Sequence, residues 1–227
     1  MKIQYCSDLH LEFPENKNYL LQNPIKPGAD ILILAGDIVP FAIMDEHQDF
    51  FDYISEHFKT TFWIPGNHEY YYYNITEKSG VLEEQIRGNI FLVNNCVKEI
   101  SGVNLIFSTL WSNISPSRQW LIQESLSDFK VIKYKDRLFN PYDYNMLHQE
   151  SLAFIKKAKQ ETANEKTIVV THHAPTFINY PEKYADSKIN EAFASNLDFI
   201  IENNTIDYWI YGHHHCNVGD FEIKNTK

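Results

Sequence analysis

Seven of the ten histidines in this chain of 227 residues fall in four short clusters, at His10, His68, His172-His173 and His213-His214-His215. Carboxylates and an amide stand beside or between them: Asp8 two places before His10, Asp37 after Gly36, and Asn67 directly before His68. The inventory of donors is two carboxylates, four imidazoles and one amide. That mixture suits Mn, Fe, Zn, Co or Ni better than Ca or Mg, which prefer shells made almost wholly of oxygen. On an extended backbone residues i and i+2 point to one side, so Asp8 is expected to face with His10 and His213 with His215. Gly36, Gly66 and Gly212 each precede a polar cluster, where a residue without a Cβ lets the backbone turn tightly or approach an ion.

Residues so far apart along the chain need a frame that brings them together. Strand patterns over residues 2–7, 30–35, 60–64, 167–171 and 206–211 each end at one of the clusters, and in open α/β sheets the ligand crevice lies beyond the carboxyl ends of the strands. Helical periodicity predicts helices over 45–58, 79–87, 141–162 and 188–202. The segments 90–92, 96–100 and 103–108 read as consecutive antiparallel strands joined by hairpins. The alternation of strands and helices predicts an α/β class. Residues 111–140, aromatic and mixed in charge, are expected to form a surface lobe over the face where the strands end.

Length and composition set the outer bounds. A chain of this size fits a single domain over 1–227, since domains run to roughly 100 to 200 residues. With 44% hydrophobic residues and few glycines and prolines it has the makings of a packed core. No apolar run approaches the roughly 18 residues of a membrane helix. The N-terminus enters a strand at once with no room for a signal peptide, and Cys6, Cys96 and Cys216 fit neither a disulfide framework nor a zinc cluster, so a cytoplasmic setting is expected. The net charge of -10 argues against a broad basic surface for nucleic acid. Residues 220–223 look like one arm of a hairpin turning at 224–226 with no partner strand, which predicts a truncated C-terminus.

In type and order, Asp8-Leu9-His10, Gly36-Asp37, Gly66-Asn67-His68-Glu69, Thr171-His172-His173-Ala174-Pro175 and Gly212-His213-His214-His215 resemble the motifs of the calcineurin-like metallophosphoesterases. The resemblance spans nearly the whole chain. It implies a four-layer αββα sandwich of two mixed sheets flanked by helices, and a site for two divalent ions, Mn or Fe favoured. Carried over residue by residue, Asp8, His10, Asp37 and His215 would hold the first ion, with Asp37 bridging to a second held by Asn67, His172 and His213. His68 would face the phosphate and leaving group without binding metal. The implied reaction is hydrolysis of a small phosphomonoester or phosphodiester by a hydroxide shared between the ions. Two other readings are a nuclease acting on single strands, which the charge disfavours, and a non-catalytic metal-binding scaffold for protein partners. Nothing in the residues speaks to oligomeric state.

Bland roles are expected for several neighbours. Motif alignment prefers His172 over His173. His214 either lines the substrate entrance or is solvated. Cys216 is expected not to be a ligand, and Cys6 to pack as a small apolar residue. His47, His57 and His148 are expected to be solvated or capping, and Tyr70 to Tyr73 to pack or to contact substrate. Arg118, Lys130, Lys133, Lys135 and Arg137, interspersed with Glu124, Asp128 and Asp136, are expected to form a solvated face.

Overall fold

The computed structural model describes residues 1–162 and 165–227. Five strands, β1 (Ile3–Cys6), β2 (Ile31–Ala35), β3 (Thr60–Ile64), β4 (Leu82–Arg87) and β5 (Ile90–Asn94), form one sheet in the order β1-β2-β3-β5-β4. Four more, β6 (Cys96–Ile100), β7 (Val103–Ser108), β10 (Lys166–Thr171) and β11 (Tyr208–Ile210), form a second in the order β11-β10-β7-β6. Both are mixed. Each is parallel except for one edge strand, β4 against β5 and β6 against β7.

Alternation along the central strands explains the layers. Ile31, Ile33 and Ala35 of β2 meet Phe62 and Ile64 of β3 and Leu105 and Phe107 of β7 in one cluster, the core between the sheets. Leu32, Leu34 and Trp63 point the other way, onto Phe51 and Ile54 of α2 (Gln48–His57). On the outer face of the second sheet Ile106, Val169 and Trp209 pack on Ile155 and Ala158 of α5 (Pro141–Glu161) and Ile201 of α6 (Asp198–Glu202). A strand with both faces covered reads as a continuous apolar run, as β2 does. The result is a sandwich of two mixed sheets between helices.

Helix α5 starts on a capping box, with the Asn140 side chain accepting from the amides of Tyr142 and Asp143 and the Asp143 carboxylate accepting from the Asn140 amide. Its buried face, Tyr144, Leu147, Ser151, Ile155 and Ala158, follows the helical repeat. Residues 111–140 supply α3 (Gln119–Ser125), α4 (Asp128–Val131) and a short hairpin of β8 (Lys133–Tyr134) with β9 (Arg137–Leu138). Their inner side is part of the core, because Trp111, Ile122, Phe129, Ile132 and Phe139 join the cluster around Trp63.

Several expectations give way. Residues 79–87 form no helix: Leu82 and Ile86 are spaced so that either a helix or a strand buries both, and pairing with β5 selects the strand. The 188–202 helix reduces to a 3₁₀ turn at Asn190–Ala192 and α6, since the backbone between them is taken up by pairing of Ala194 with Ala174. The helix over 45–58 begins as a 3₁₀ segment, Phe41–His47, before α2. β5 and β6 are not a hairpin, because Asn95, with φ of 46°, carries the chain from one sheet to the other. Helix α1 (Pro14–Gln22) was not expected; it buries no residue fully and so has no apolar stripe to announce it. His47 and His148 are buried, not solvated. The turn near the end is at Lys224-Asn225, with Ile223 bridged to Thr226. Among the described residues no helix is long and apolar enough to cross a membrane.

Candidate metal centre

The five motifs meet where β1, β2, β3, β10 and β11 end, but not through extended backbone. β1 stops at Cys6 and β11 at Ile210, and Asp8, His10, Asp37, His213 and His215 all have positive φ, between 46° and 72°. Left-handed backbone at a non-glycine residue costs about 1–3 kcal/mol and persists only where surroundings hold it. Here the amides of Asp8 and His10 donate to the carbonyls of Gly36 and Asp37, each at 2.9 Å, tying the first turn to the second. The i, i+2 pairs therefore converge through turns, not through strand parity. Gly36 and Gly66 are required by space: a Cβ at Gly36 would collide with the His172 ring, and one at Gly66 with the Asp37 carboxylate.

Three donor groups result among the described residues: His10, Glu12 and His68 form one, and the other two share Asp37. Asp8, His10, Asp37 and His215 offer atoms within 4.8 Å of one another, as do Asp37, His172 and His213. His10 Nε2 lies 2.9 Å from His215 Nε2 and 3.8 Å from Asp37 Oδ2. His172 Nε2 lies 3.1 Å from His213 Nδ1 and 3.3 Å from Asp37 Oδ2. The amide of His213 donates to both oxygens of Asp8, and the hydroxyl of Ser7 donates to Oδ2. Asn67 is buried, its Nδ2 donating to Asp128 Oδ1 at 3.0 Å.

These residues fit divalent cations. His172 Nδ1 sits 2.8 Å from the carbonyl of Ala35, which can only accept, so Nδ1 keeps its proton and Nε2 is the nitrogen that would meet an ion. Nε2 faces Asp37 and the His213 ring; burial opposes a charged ring there, yet Asp37 pushes it up to about 10, so a cation would take the place of the proton between them. Asp37 Oδ2 and Asn67 Oδ1 are both buried without a hydrogen-bond partner, an arrangement that costs energy unless a cation completes it. Burial raises the Asp37 carboxyl, but the positive charge of His172 and His68 outweighs it and holds the group well below the usual range. Burial first, and neighbouring imidazoles second, keep His213 neutral, the form that binds metal.

His68 stands beside this cluster. Its amide donates to Asp37 Oδ1 at 2.9 Å, its Nδ1 donates to Glu12 Oε1 at 2.7 Å, and its ring stacks on Tyr71 with centroids 4.0 Å apart. Burial opposes the charged ring, yet Asp37 and Glu12 push it up to about 9. His173 is turned away, its Nε2 2.9 Å from the Tyr144 hydroxyl. His214 is also buried, edge-on to Tyr180, so it is not solvated; it lines the cleft shared by Asp8, His10 and His215. Cys6 is mostly covered, its thiol pushed up to about 12 by burial, while Cys216 is exposed. Of the four tyrosines, Tyr70 is buried in the core, Tyr73 packs on Phe41, Tyr71 lies against His68, and Tyr72 is exposed.

Residues 1–217 match the family of calcineurin-like phosphoesterases. The chain belongs to this family. A calcineurin-like phosphoesterase is a metal-dependent hydrolase acting on phosphoester bonds, and this chain carries the His and Asp groups able to bind such metals. It is 36% identical over 239 residues to an uncharacterized protein, L509, of Acanthamoeba polyphaga mimivirus, covering 94% of this chain and 84% of that one. The crystal structure of a phosphopantetheinyl hydrolase from Mycobacterium tuberculosis has the same fold, with a TM-score of 0.64 and 18% identity over 99% of this chain and 86% of that one.

Three carboxylates beside the centre had no role assigned from sequence. Glu12 holds the His68 ring and also lies 3.2 Å from His10 Nδ1. Glu69 is completely buried and accepts four bonds, from the amides of Asp37, Ile38 and Gly66 and from the Trp63 indole. Asp128, placed above among solvated charges, is 3% exposed and accepts from Asn67 and from the Tyr71 hydroxyl. Glu12 and Glu69 sit within or next to the motifs and were open to notice there. Asp128 carries no local signal, since its partners lie 57 and 61 residues away.

Proposed function

We propose that this calcineurin-like phosphoesterase binds two divalent transition-metal ions and hydrolyses a small phosphomonoester or phosphodiester. Asp8, His10, Asp37 and His215 hold one ion; Asn67, His172, His213 and the same Asp37 hold the other. The observation that carries this reading is that Asp37 belongs to both of these donor groups while its buried Oδ2 has no hydrogen-bond partner. The mixed nitrogen and oxygen donors favour Mn or Fe among Mn, Fe, Zn, Co and Ni. When bound, the ions would bring the pKa of a shared water toward neutrality and neutralise charge on the phosphate.

The chain's own residues do the rest. Asp37 spans the two sites from a turn that Glu69 fixes through two consecutive amides, those of Asp37 and Ile38. Glu12 occupies His68 Nδ1, which leaves Nε2 to hold a proton for the departing oxygen. Stacking on Tyr71 limits rotation of that ring. The three free cysteines accord with a reducing, cytoplasmic setting.

The test is a matrix of Mn, Fe, Co, Ni and Zn against an aryl monoester, an aryl diester, cyclic nucleotides and an oligonucleotide. Small esters are expected to be hydrolysed and the oligonucleotide not. Asp37→Asn is expected to lose bound metal and turnover together, and His68→Ala to lose about 10²–10⁴-fold in turnover with metal content retained. Hydrolysis at the wild-type rate in both variants would overturn the assignment.

A further inference from the structure

An asparagine ligand has to present oxygen, yet the two ends of its carboxamide are almost the same size. Which end faces an ion is decided by what the other end touches. In this chain Asn67 Nδ2 donates to Asp128 Oδ1 at 3.0 Å. A carboxylate only accepts, so the flipped amide would set two acceptors against each other in a site where both residues are buried. The flip is therefore disfavoured, and Asn67 Oδ1 is left buried with no partner of its own.

Asp128 is itself held in place. The Tyr71 hydroxyl donates to the same Oδ1 at 2.8 Å, and the next residue, Phe129, is buried in the core cluster together with Phe139 and Tyr144. No Lys or Arg among the described residues forms an ion pair with it. A buried carboxylate with two donors and no countercation is a poor choice for packing alone, because desolvation of the charge is not repaid by a partner. It becomes favourable where divalent cations lie beyond the amide that it orients.

We infer that Asp128 is the positioning residue for the second metal, turning Asn67 so that Oδ1 and not Nδ2 is offered to the ion. The inference rests on the reading of Asn67 as a ligand. It gives residues 111–140 a share in the centre: the segment delivers one carboxylate that sets a ligand contributed by the turn after β3.

Titration of metal-stripped protein with Mn²⁺, followed by calorimetry, tests this without reference to activity. Wild type is expected to take up two ions. Asp128→Ala is expected to weaken the second by about 10–100-fold and leave the first within about threefold. Asp128→Asn, whose amide oxygen can accept from both donors, should recover most of that loss. Wild-type affinity at both sites in Asp128→Ala, with unchanged far-UV circular dichroism, would overturn the inference while leaving the two-metal reading intact. Uptake of fewer than two ions by wild type would overturn the two-metal reading itself and this inference with it. Should Asp128→Ala not fold, the side-chain amide of Asn67 in ¹⁵N-labelled wild type decides: slow exchange with solvent is expected, and fast exchange contradicts the bond to Asp128.

Discussion

The Glu69 carboxylate reaches none of the side chains proposed to bind metal; it holds backbone amides of the turns that carry them, those of Asp37, Ile38 and Gly66. All four groups around its carboxylate are N–H donors, so a proton on either oxygen would have no acceptor. Burial first and the charge of Asp37 second push its carboxyl up to about 7, against amides that favour the ionised form. The donor geometry decides for the carboxylate. Glu69→Gln sets an NH₂ against two of those donors, and the expected cost is roughly 2 kcal/mol of stability, the scale of a bond to a charged group lost in a buried site. Urea unfolding measures it. Because the same bonds hold the turns of Asp37 and Gly66, turnover should fall as well, and an unaltered midpoint with unaltered turnover would contradict the role given to Glu69.

At the level of elements, α5 meets the centre through the loop that follows β7. His148 lies on the buried face of α5 with Nδ1 3.2 Å and 3.3 Å from the carbonyls of Leu110 and Trp111. Burial lowers its pKa from 6.5, the carbonyl bonds only partly opposing this. A histidine depressed in the folded state binds fewer protons there than in the unfolded chain, so its contribution is intact above pH 6.5 and is lost as pH falls below that value. His148→Asn keeps a donor at the Nδ1 position and removes the titration. Melting temperatures between pH 7.5 and 5.5 are expected to drop more steeply in wild type than in the variant, whereas parallel curves would refute a titrating His148. The other nine histidines are the same in both proteins and cancel from the comparison.

Over the whole molecule, the negative net charge and the centre have to be considered together. Two divalent ions would bring +4 against Asp8 and Asp37, so on the proposed reading an acidic protein would still offer a phosphate a positive site. Ions held by these donor groups would bind the folded state, in which residues from position 8 to position 215 converge, and not the unfolded chain. Mn²⁺ at about 1,000 times its dissociation constant is therefore expected to add about 4 kcal/mol per site. The melting temperature should rise with Mn²⁺ and return on adding a chelator. Insensitivity to both would show that the donor groups do not bind the ion.

The donor types, their order and the strands that precede them are legible in the sequence, because each is a local pattern: an apolar run, a glycine, then polar residues. β2 and β3 could be drawn from the residues alone for that reason. What only the tertiary structure decided depends on partners far along the chain. The left-handed turns at Asp8, His10, Asp37 and His213 are held by acceptors far along the chain, the carbonyls of Gly36 and Asp37 and the carboxylates of Glu69 and Asp8. The passage of the chain between sheets at Asn95 and the choice of strand over helix for β4 follow from pairing, to which a period of two or four apolar residues is blind. The same holds for Glu12, Glu69 and Asp128. A buried carboxylate has the same letter in the sequence as a solvated one, and only the donors gathered around it tell them apart.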